Sequence, residues 1–276
     1  MPQRIINVHT HLHKHQDIDQ RVRLWRDCGL VKVCIQVGST TDGPDRYGNQ
    51  GVLGWLRKYP DLLLGFAHVE LGPTVDGPEK VEQFKQQGFT GLKFIGPAWP
   101  YDDDRYFGLY EKAQELGMPI LFHTGYLSHT PGRPQVGIST EKMRPARLDA
   151  IARAFPDLRM MMAHLGYPEF EMGLTLIRFF ENLYGEYSGG GGSRFRETML
   201  RKLLRPLPGT DMSDPQQNQA LTHFRKLCFA TDNPEPPVWI ALNERLMGEL
   251  ELPEDLREDF WWRNAARWLG MADTLT

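Results

Sequence analysis

Residues 115–123, ELGMPILFH, contain the pattern that decides the fold. An amphipathic helical segment stops at Gly117, and a short apolar run that ends at His123 follows at once. Glycine often ends a helix because it adopts the left-handed conformation without steric cost. The stretch therefore predicts a helix that leads directly into a buried strand.

Strand-like runs of this kind occur eight times in the 276 residues, with helical patterns between them. Several are almost continuously apolar, which is typical of strands covered on both faces. They are residues 4–9, 31–38, 61–70, 91–96, 119–125, 158–166, 183–189 and 227–232. This alternation predicts an α/β fold, a (β/α)8 TIM barrel formed by a single domain over residues 1–276. A doubly wound open sheet is the alternative, but it more often has a Gly-rich phosphate loop after its first strand, where this chain has histidines.

Composition narrows the class of protein. The net charge is −3 at pH 7, with 41% hydrophobic and 24% charged residues. These values indicate a globular protein and argue against binding to nucleic acid or to a membrane surface. The three cysteines form no CxxC pair, and residues 1–25 have no leader-like pattern. We therefore expect a cytoplasmic protein with reduced thiols.

Two histidines lie at the end of the first run, RIINVH at residues 4–9: His9 is its last residue and His11 follows two positions later. Alternate residues of a strand face the same side, so His9 and His11 can bind one ion. Alone, such a pair is weak evidence, because alternating histidines also occur on solvated surfaces. His13 continues the alternation and is a candidate for the substrate pocket, whereas we expect His15 to be solvated.

Three later runs also end in a polar residue: His123 in PILFHTG, His164 in MMMAHLG and Asp232 in LCFATDN. The carboxyl ends of the strands of a TIM barrel meet at one active site. One histidine in such a position commonly has a structural role, but this number of histidines with an aspartate predicts a metal site.

Taken together, the motifs resemble those of the amidohydrolase superfamily, and within it the amidohydrolase-2 branch of hydrolases, lactonases and non-oxidative decarboxylases. The resemblance rests on NVHTHLH, GLKF, MPILFHTG, MMAHLG, CFATDNP and the closing RNAARWLGM, in this order. It implies a divalent metal, usually zinc, with four ligands: His9, His11, His123 and Asp232. It also implies that His164 orients the substrate or polarises the bond to be cleaved.

Two positions qualify the resemblance. Asn7 stands where this branch commonly has an aspartate. The contact that this aspartate makes to the metal-binding residues is therefore in doubt for this chain. Lys93 in GLKF has three possible roles: a carboxylated bridge between two metals, as in binuclear amidohydrolases, a contact to substrate or to a ligand carboxylate, or a structural ion pair. We expect one metal ion, and two if Lys93 is carboxylated.

The resemblance implies a metal-dependent hydrolase that cleaves an ester, lactone or amide of a small, carboxylated organic molecule. Bound zinc lowers the pKa of water towards about 7, which makes hydroxide available at neutral pH. Asp232 is the candidate general base and then acid, and His164 the candidate donor to the carbonyl oxygen. The alternatives are a decarboxylase, in which Asp232 protonates the substrate carbon, and a barrel that binds a ligand without catalysis.

Weaker candidates lie elsewhere. Those for substrate contact are His68 near the end of the third run, Trp99 after the fourth, and Arg133 and Arg144 in the long loop of residues 126–144. Each has an equally plausible structural role. We expect His129 and His223 at the surface. A small-molecule substrate is the predicted partner, and a homo-oligomer is compatible with the resemblance.

Overall fold

Seven parallel strands in sequence order form the central sheet. The computed structural model describes residues 4–13, 15–37, 48–128, 137–189, 193–206, 208–233 and 235–272, without the side chains of residues 193–197. The strands are β1 (Ile5–His11), β2 (Leu30–Gln36), β3 (Leu63–His68), β4 (Gly91–Phe94), β5 (Ile120–His123), β6 (Met160–Ala163) and β7 (Leu183–Gly185). Arg133 and His129 lie outside the described residues.

A helix follows each strand. The helices are α1 (Ile18–Asp27), α2 (Asn49–Lys58), α3 (Pro78–Gln86), α4 (Phe107–Glu115), α5 (Arg147–Ala154), α6 (Phe170–Phe179), α7 (Ser193–Leu204), α8 (Gln219–His223), α9 (Pro236–Glu249), α10 (Glu254–Glu258) and α11 (Asn264–Leu269). Within the described part of the chain, none of them combines the length and the apolar character that a bilayer-spanning helix needs.

The end of α4 shows how the sequence produces the alternation. Gly117 has φ +61° and its amide donates to the carbonyl of Gln114, while the amide of Met118 donates to the carbonyl of Ala113. These are the two hydrogen bonds of a Schellman motif, which satisfies the last carbonyls of the helix and reverses the chain. The next residues enter β5, as the pattern in residues 115–123 predicts.

The eighth strand-like run does not form a regular strand. In residues 227–232, the amide of Cys228 donates to the carbonyl of Gly185 in β7 at 2.9 Å, and Asp232 has a left-handed backbone with φ +54°. At the other end, the amide of Asp232 donates to the carbonyl of His9 in β1 at 2.8 Å, and only isolated bridges are formed. This stretch, the bridging segment, connects the first and last strands. The fold is TIM-barrel-like, but the described residues contain seven strands where we expected eight.

Two apolar layers pack against the two faces of the sheet. The larger lies between the strands and the helices, and the smaller contains Ile6, Val8 and Leu121 from the opposite face of the sheet. Trp268 of α11 is fully buried in the smaller layer, with its ring stacked on that of Phe66 at 5.1 Å between centroids. The closing helix therefore covers one side of the inner layer. The polar residues at the carboxyl ends of the strands lie on its other side.

The expectation that His223 lies at the surface is wrong. His223 is the last residue of α8 and is only 3% exposed. Burial lowers the pKa of its imidazole from 6.5 to about 4, and Arg178 contributes in the same direction. A helix of five residues is too short for a reliable hydrophobic pattern, which is why the sequence did not indicate its buried face.

Candidate metal centre

Buried polar side chains collect at the carboxyl ends of the strands and of the bridging segment. Each of them is less than 10% exposed. They are His9 and His11 in β1, Lys93 in β4, His123 at the end of β5, His164 after β6, Glu186 after β7 and Asp232 in the bridging segment. The strand ends therefore bring together groups that are up to 223 residues apart in sequence.

A β-bulge in β1 contributes to this placement. Between Asn7 and Thr10, β1 advances three residues while the paired strand β2 advances two, from Val33 to Ile35. The extra residue shifts the alternation of side chains, so that the apolar start and the polar end of the strand face the same interior. Bulges of this kind are common next to active sites, where they redirect a side chain.

The imidazoles of His9 and His11 and the carboxylate of Asp232 converge on one point. The two Nε2 atoms are 3.1 Å apart, and Oδ1 of Asp232 is 3.4 Å from each of them. Ligand atoms bound tetrahedrally to zinc at about 2.0–2.1 Å are about 3.3 Å from one another. The three separations therefore match those expected around a single small cation.

The protonation of the two histidines also fits a cation. Nδ1 of His11 donates to the carbonyl of Val37 at 2.7 Å, and Nδ1 of His9 is paired with the carboxylate of Glu186 at 2.8 Å. Burial lowers the pKa of both imidazoles, and that of His9 well below its ordinary value. Two neutral rings with protonated Nδ1 atoms turn their Nε2 lone pairs toward each other, an arrangement that a shared cation stabilises.

Lys93 lies beside this cluster. Its Nζ is 3.2 Å from Nε2 of His9, and the side chain is fully buried. Burial lowers the pKa of the amine to about 8, although the negative charges of Asp232 and Glu186 oppose this shift. Lys93 is thus a buried amine beside the imidazole of His9, with two carboxylates nearby.

His123 and His164 form a second pair of rings, with centroids 4.7 Å apart. Nε2 of His123 is 3.4 Å from the carbonyl oxygen of Tyr126, and its ring lies outside both clusters of converging ligand atoms found among the described residues. The structure thus places His123 at the strand ends, but not within the cluster formed by His9, His11 and Asp232.

The conformation of His164 limits its chemistry. Its backbone is left-handed, with φ +63°, and its Nδ1 is 2.7 Å from the carbonyl oxygen of Ser188. A carbonyl only accepts, so Nδ1 carries the proton and the neutral ring has a bare Nε2. His164 can therefore donate a hydrogen bond from Nε2 only as an imidazolium, for which the Glu186 carboxylate, 3.9 Å from Nδ1, provides a counter-charge.

Glu186 is a site residue that the sequence analysis missed. Its side chain is fully buried and contacts both His9 and the main chain of His164. The available signal was a single carboxylate in the apolar run LYGEYSG at residues 183–189, one residue beyond the end of β7. That is the position at which the neighbouring strand β6 is followed by His164.

Asn7 contacts the main chain of the proposed metal ligand His9. Its Oδ1 accepts from the amide of His9 at 3.2 Å, and its Nδ2 donates to the hydroxyl of Thr231 at 2.9 Å. An aspartate in this position has no proton to donate to that hydroxyl, whereas the asparagine donates and accepts at once. The departure from the family pattern therefore preserves the link between β1 and the bridging segment.

Arg144 is occupied by other carboxylates. Its guanidinium makes two contacts to Glu169, at 2.8 and 3.1 Å, and a longer one of 3.5 Å to Glu141. A two-pronged pairing of this kind uses the face of the guanidinium that would recognise a substrate carboxylate. The arrangement favours a structural role in fastening the loop after β5.

The remaining candidates lie around the strand ends without joining the cluster. His13 is half-buried and stacks on the exposed ring of His15, with 5.5 Å between centroids. His68 ends β3, pairs in register with Lys93 and is half-buried. The ring of Trp99 is half-buried and covered by the guanidinium of Arg105 at 4.3 Å. Their roles in substrate binding stay predictions.

Comparison with known families identifies the chain. The Amidohydrolase family model, of the amidohydrolase-2 type, matches residues 40–271. The chain belongs to this family, which confirms the resemblance seen in its motifs. Members of the family are metal-dependent enzymes. The matched stretch includes Lys93, His123, His164 and Asp232 and begins after the first histidine pair. No curated protein matches the sequence.

Solved structures share the fold at low sequence identity. An uncharacterised TIM-barrel protein from Bordetella bronchiseptica is 18% identical, with a TM-score of 0.63 over 98% of this chain and 99% of that chain. A protein from Pseudomonas putida, proposed to be a 2-pyrone-4,6-dicarboxylic acid hydrolase, is 16% identical, with a TM-score of 0.64 over 98% of each chain. The 2,6-dihydroxybenzoate decarboxylase from Rhizobium is 15% identical, with a TM-score of 0.62 over 98% of this chain and 99% of that chain.

Proposed function

We propose that this chain is a metal-dependent hydrolase that cleaves an ester, lactone or amide bond in a small, carboxylated molecule. The observation that carries the proposal is the convergence of His9 Nε2, His11 Nε2 and Asp232 Oδ1 at separations of 3.1–3.4 Å. Their spacing and protonation fit one divalent ion, for which zinc is our choice because imidazole nitrogen and carboxylate oxygen suit it.

His9, His11 and Asp232 would hold the ion, and His123 is the proposed fourth ligand. In the structure, Nε2 of His123 contacts the carbonyl of Tyr126. Its imidazole therefore has to reorient to reach the other three ligands. Three protein ligands would leave one position open for water, as in catalytic zinc sites, and with His123 bound the water would need a fifth position.

The residues of the site divide the chemical work. A bound divalent ion supplies Lewis acidity and lowers the pKa of water towards about 7. Asp232 accepts the proton of the attacking water and returns it to the leaving group. Nδ2 of Asn233 donates to Oδ2 of Asp232 at 2.7 Å, which holds that oxygen and leaves Oδ1 directed at the histidine pair. His164, when protonated, stabilises negative charge that develops on the carbonyl oxygen.

The cationic side chain of Lys93 supports the proposal of a carboxylated substrate. Burial lowers the pKa of the Lys93 amine to about 8, and in its protonated form this amine attracts an anion. The names of two proteins of the same fold point to the same class, because the activity proposed for one, 2-pyrone-4,6-dicarboxylic acid hydrolysis, and that of the other, 2,6-dihydroxybenzoate decarboxylation, both concern carboxylated ring compounds. We propose a ring-derived carboxylate for this chain.

Non-oxidative decarboxylation is the second candidate. It is favoured by the similarity to the Rhizobium decarboxylase, whose TM-score of 0.62 is close to the 0.64 of the hydrolase-like protein. In that reaction Asp232 delivers a proton to the carbon that loses CO₂. Lys93 favours hydrolysis slightly, because a carboxylated lysine could hold a second divalent ion, which would supply further activation of water.

The decisive experiment combines metal analysis with a substrate panel. The purified protein is stripped with a chelator, reloaded with Zn²⁺ or Mn²⁺, and incubated with lactones, esters, amides and hydroxybenzoates. We expect about one ion per chain and hydrolysis of at least one carboxylated lactone, ester or amide. Release of CO₂ without any hydrolysis selects the decarboxylase. Metal binding without turnover selects a binding protein, and less than about 0.2 ion per chain after reloading contradicts metal dependence.

A further inference from the structure

A single buried carboxylate links three strand ends at the proposed metal centre. Oε1 of Glu186 is 2.8 Å from Nδ1 of His9 and 3.0 Å from the amide nitrogen of His164. Oε2 accepts a third hydrogen bond, from the amide of Ser188 at 2.5 Å. Glu186 thus joins the ends of β1 and β6 to its own segment after β7.

We propose that Glu186 is a positioning residue that selects the metal-binding tautomer of His9 and fixes the turn that carries His164. This inference rests on the proposed function, because it assigns Glu186 a role toward the same metal. A carboxylate at Nδ1 keeps the proton on that nitrogen and directs the Nε2 lone pair at the shared point. The same oxygen accepts the amide proton of a residue whose φ of +63° is otherwise unfavourable.

The position requires a group that only accepts hydrogen bonds. Both oxygens of Glu186 face donors, namely the amides of His164 and Ser188, and Oε1 also faces Nδ1 of His9. A glutamine has one oxygen and one NH₂ group. Its NH₂ must point either at the amide of Ser188, donor against donor, or at His9 and His164. The second orientation moves the proton of His9 to Nε2, where it blocks a metal ion.

The test compares Glu186→Gln and Glu186→Asp with the wild-type protein in calorimetric titrations with Zn²⁺. We expect Glu186→Gln to bind zinc about 10- to 100-fold more weakly, with partial recovery in Glu186→Asp because it restores two acceptors. Glu181→Gln is the matched control, since the side chain of Glu181 is 99% exposed and pairs with Lys226. Circular dichroism and thermal unfolding establish that each variant is folded.

A second readout does not depend on metal. The ¹⁵N chemical shifts of the imidazoles in the metal-free protein, assigned with a His9→Gln variant, report which nitrogen of His9 is protonated. We expect protonated Nδ1 in the wild type and a shift toward protonated Nε2 in Glu186→Gln. Zinc affinity within twofold of the wild type and an unchanged His9 tautomer overturn the inference. If the wild type fails to bind zinc, the proposed function is contradicted instead. The tautomer of His9 in the metal-free protein then decides by itself whether Glu186 has the proposed role.

Discussion

The hydroxyl of Thr124 donates a hydrogen bond of 2.6 Å to the carbonyl oxygen of Ala163 and accepts one of 3.0 Å from the amide of Gly166. These two contacts connect the end of β5 to the turn after β6. His123 precedes Thr124 and His164 follows Ala163, so the pairing holds the two imidazoles side by side. Their centroid separation of 4.7 Å is thus supported by these contacts between a side chain and the main chain, as well as by ring packing.

Gly125 lies at a point of close approach in this junction. It has φ +81°, and a Cβ atom there would be 2.0 Å from the carbonyl oxygen of Tyr167. Gly88 is a matched control, with φ +96° and open space around its Cβ position. We expect Gly88→Ala to cost about 1–2 kcal/mol for the left-handed backbone, and Gly125→Ala a further ~1–3 kcal/mol for the displaced junction. Urea unfolding measures the free energy of unfolding of both variants. Equal decreases would show that the junction accommodates the added Cβ atom of Gly125→Ala without cost.

Asp232→Asn tests the proton transfer assigned to that carboxylate. The amide cannot accept the proton of the attacking water, so we expect kcat to fall by about 10²- to 10⁴-fold on the substrate identified in the panel. Asp61→Asn serves as the control, because the side chain of Asp61 is 67% exposed and pairs with Arg26. Activity within tenfold of the wild type, at equal metal content, would remove Asp232 from the role of general base.

Lys93→Met separates the proposed roles of the buried amine. If Lys93 meets the carboxylate of the substrate, the metal content stays at about one ion per chain while KM rises by roughly 10- to 100-fold, the loss expected for a hydrogen bond to a charged group. Elemental analysis and steady-state kinetics measure the two quantities. A fall from two ions to one would instead identify a carboxylated, bridging lysine.

The stability of the fold should decrease in mild acid because of His223. Its pKa is about 4 in the folded chain against an ordinary value of 6.5, so between these values the unfolded chain binds more protons. The free energy of unfolding therefore falls as the pH decreases from about 6.5 to 4, by up to roughly 3 kcal/mol from this residue. His223→Phe removes the titration, and urea unfolding at pH 7 and pH 5 should show a smaller change than in the wild type. Equal changes would assign the acid sensitivity to other groups.

The order of strands and helices could be predicted from the sequence because it depends on local features. Gly117 favours the end of a helix through its own backbone conformation, whatever the rest of the chain does. A short apolar run such as residues 119–125 favours a buried strand in the same local way. The polar residues at the strand ends followed from the same patterns, since a histidine that ends an apolar run must lie at the mouth of a barrel.

Other parts of the site depend on partners that are distant in sequence. The bulge between Asn7 and Thr10 is defined only by pairing with β2, and no residue in the run marks it. Arg144 could be assigned to substrate or to structure only once Glu169 was seen beside it. Glu186 could have been suspected from its place after an apolar run, but its partners, His9 and His164, are brought near only by the sheet.

The hydrogen bond between Asn7 and Thr231 spans 224 residues of chain. The chain up to Thr231 must therefore have left the ribosome before the bridging segment can reach β1, and until then the first and last strands have open edges that can pair with other chains. Asp232 arrives with that segment. The proposed metal centre and the covering of these strand edges are consequently completed in the same step of folding, and a chain that ends before residue 227 has neither.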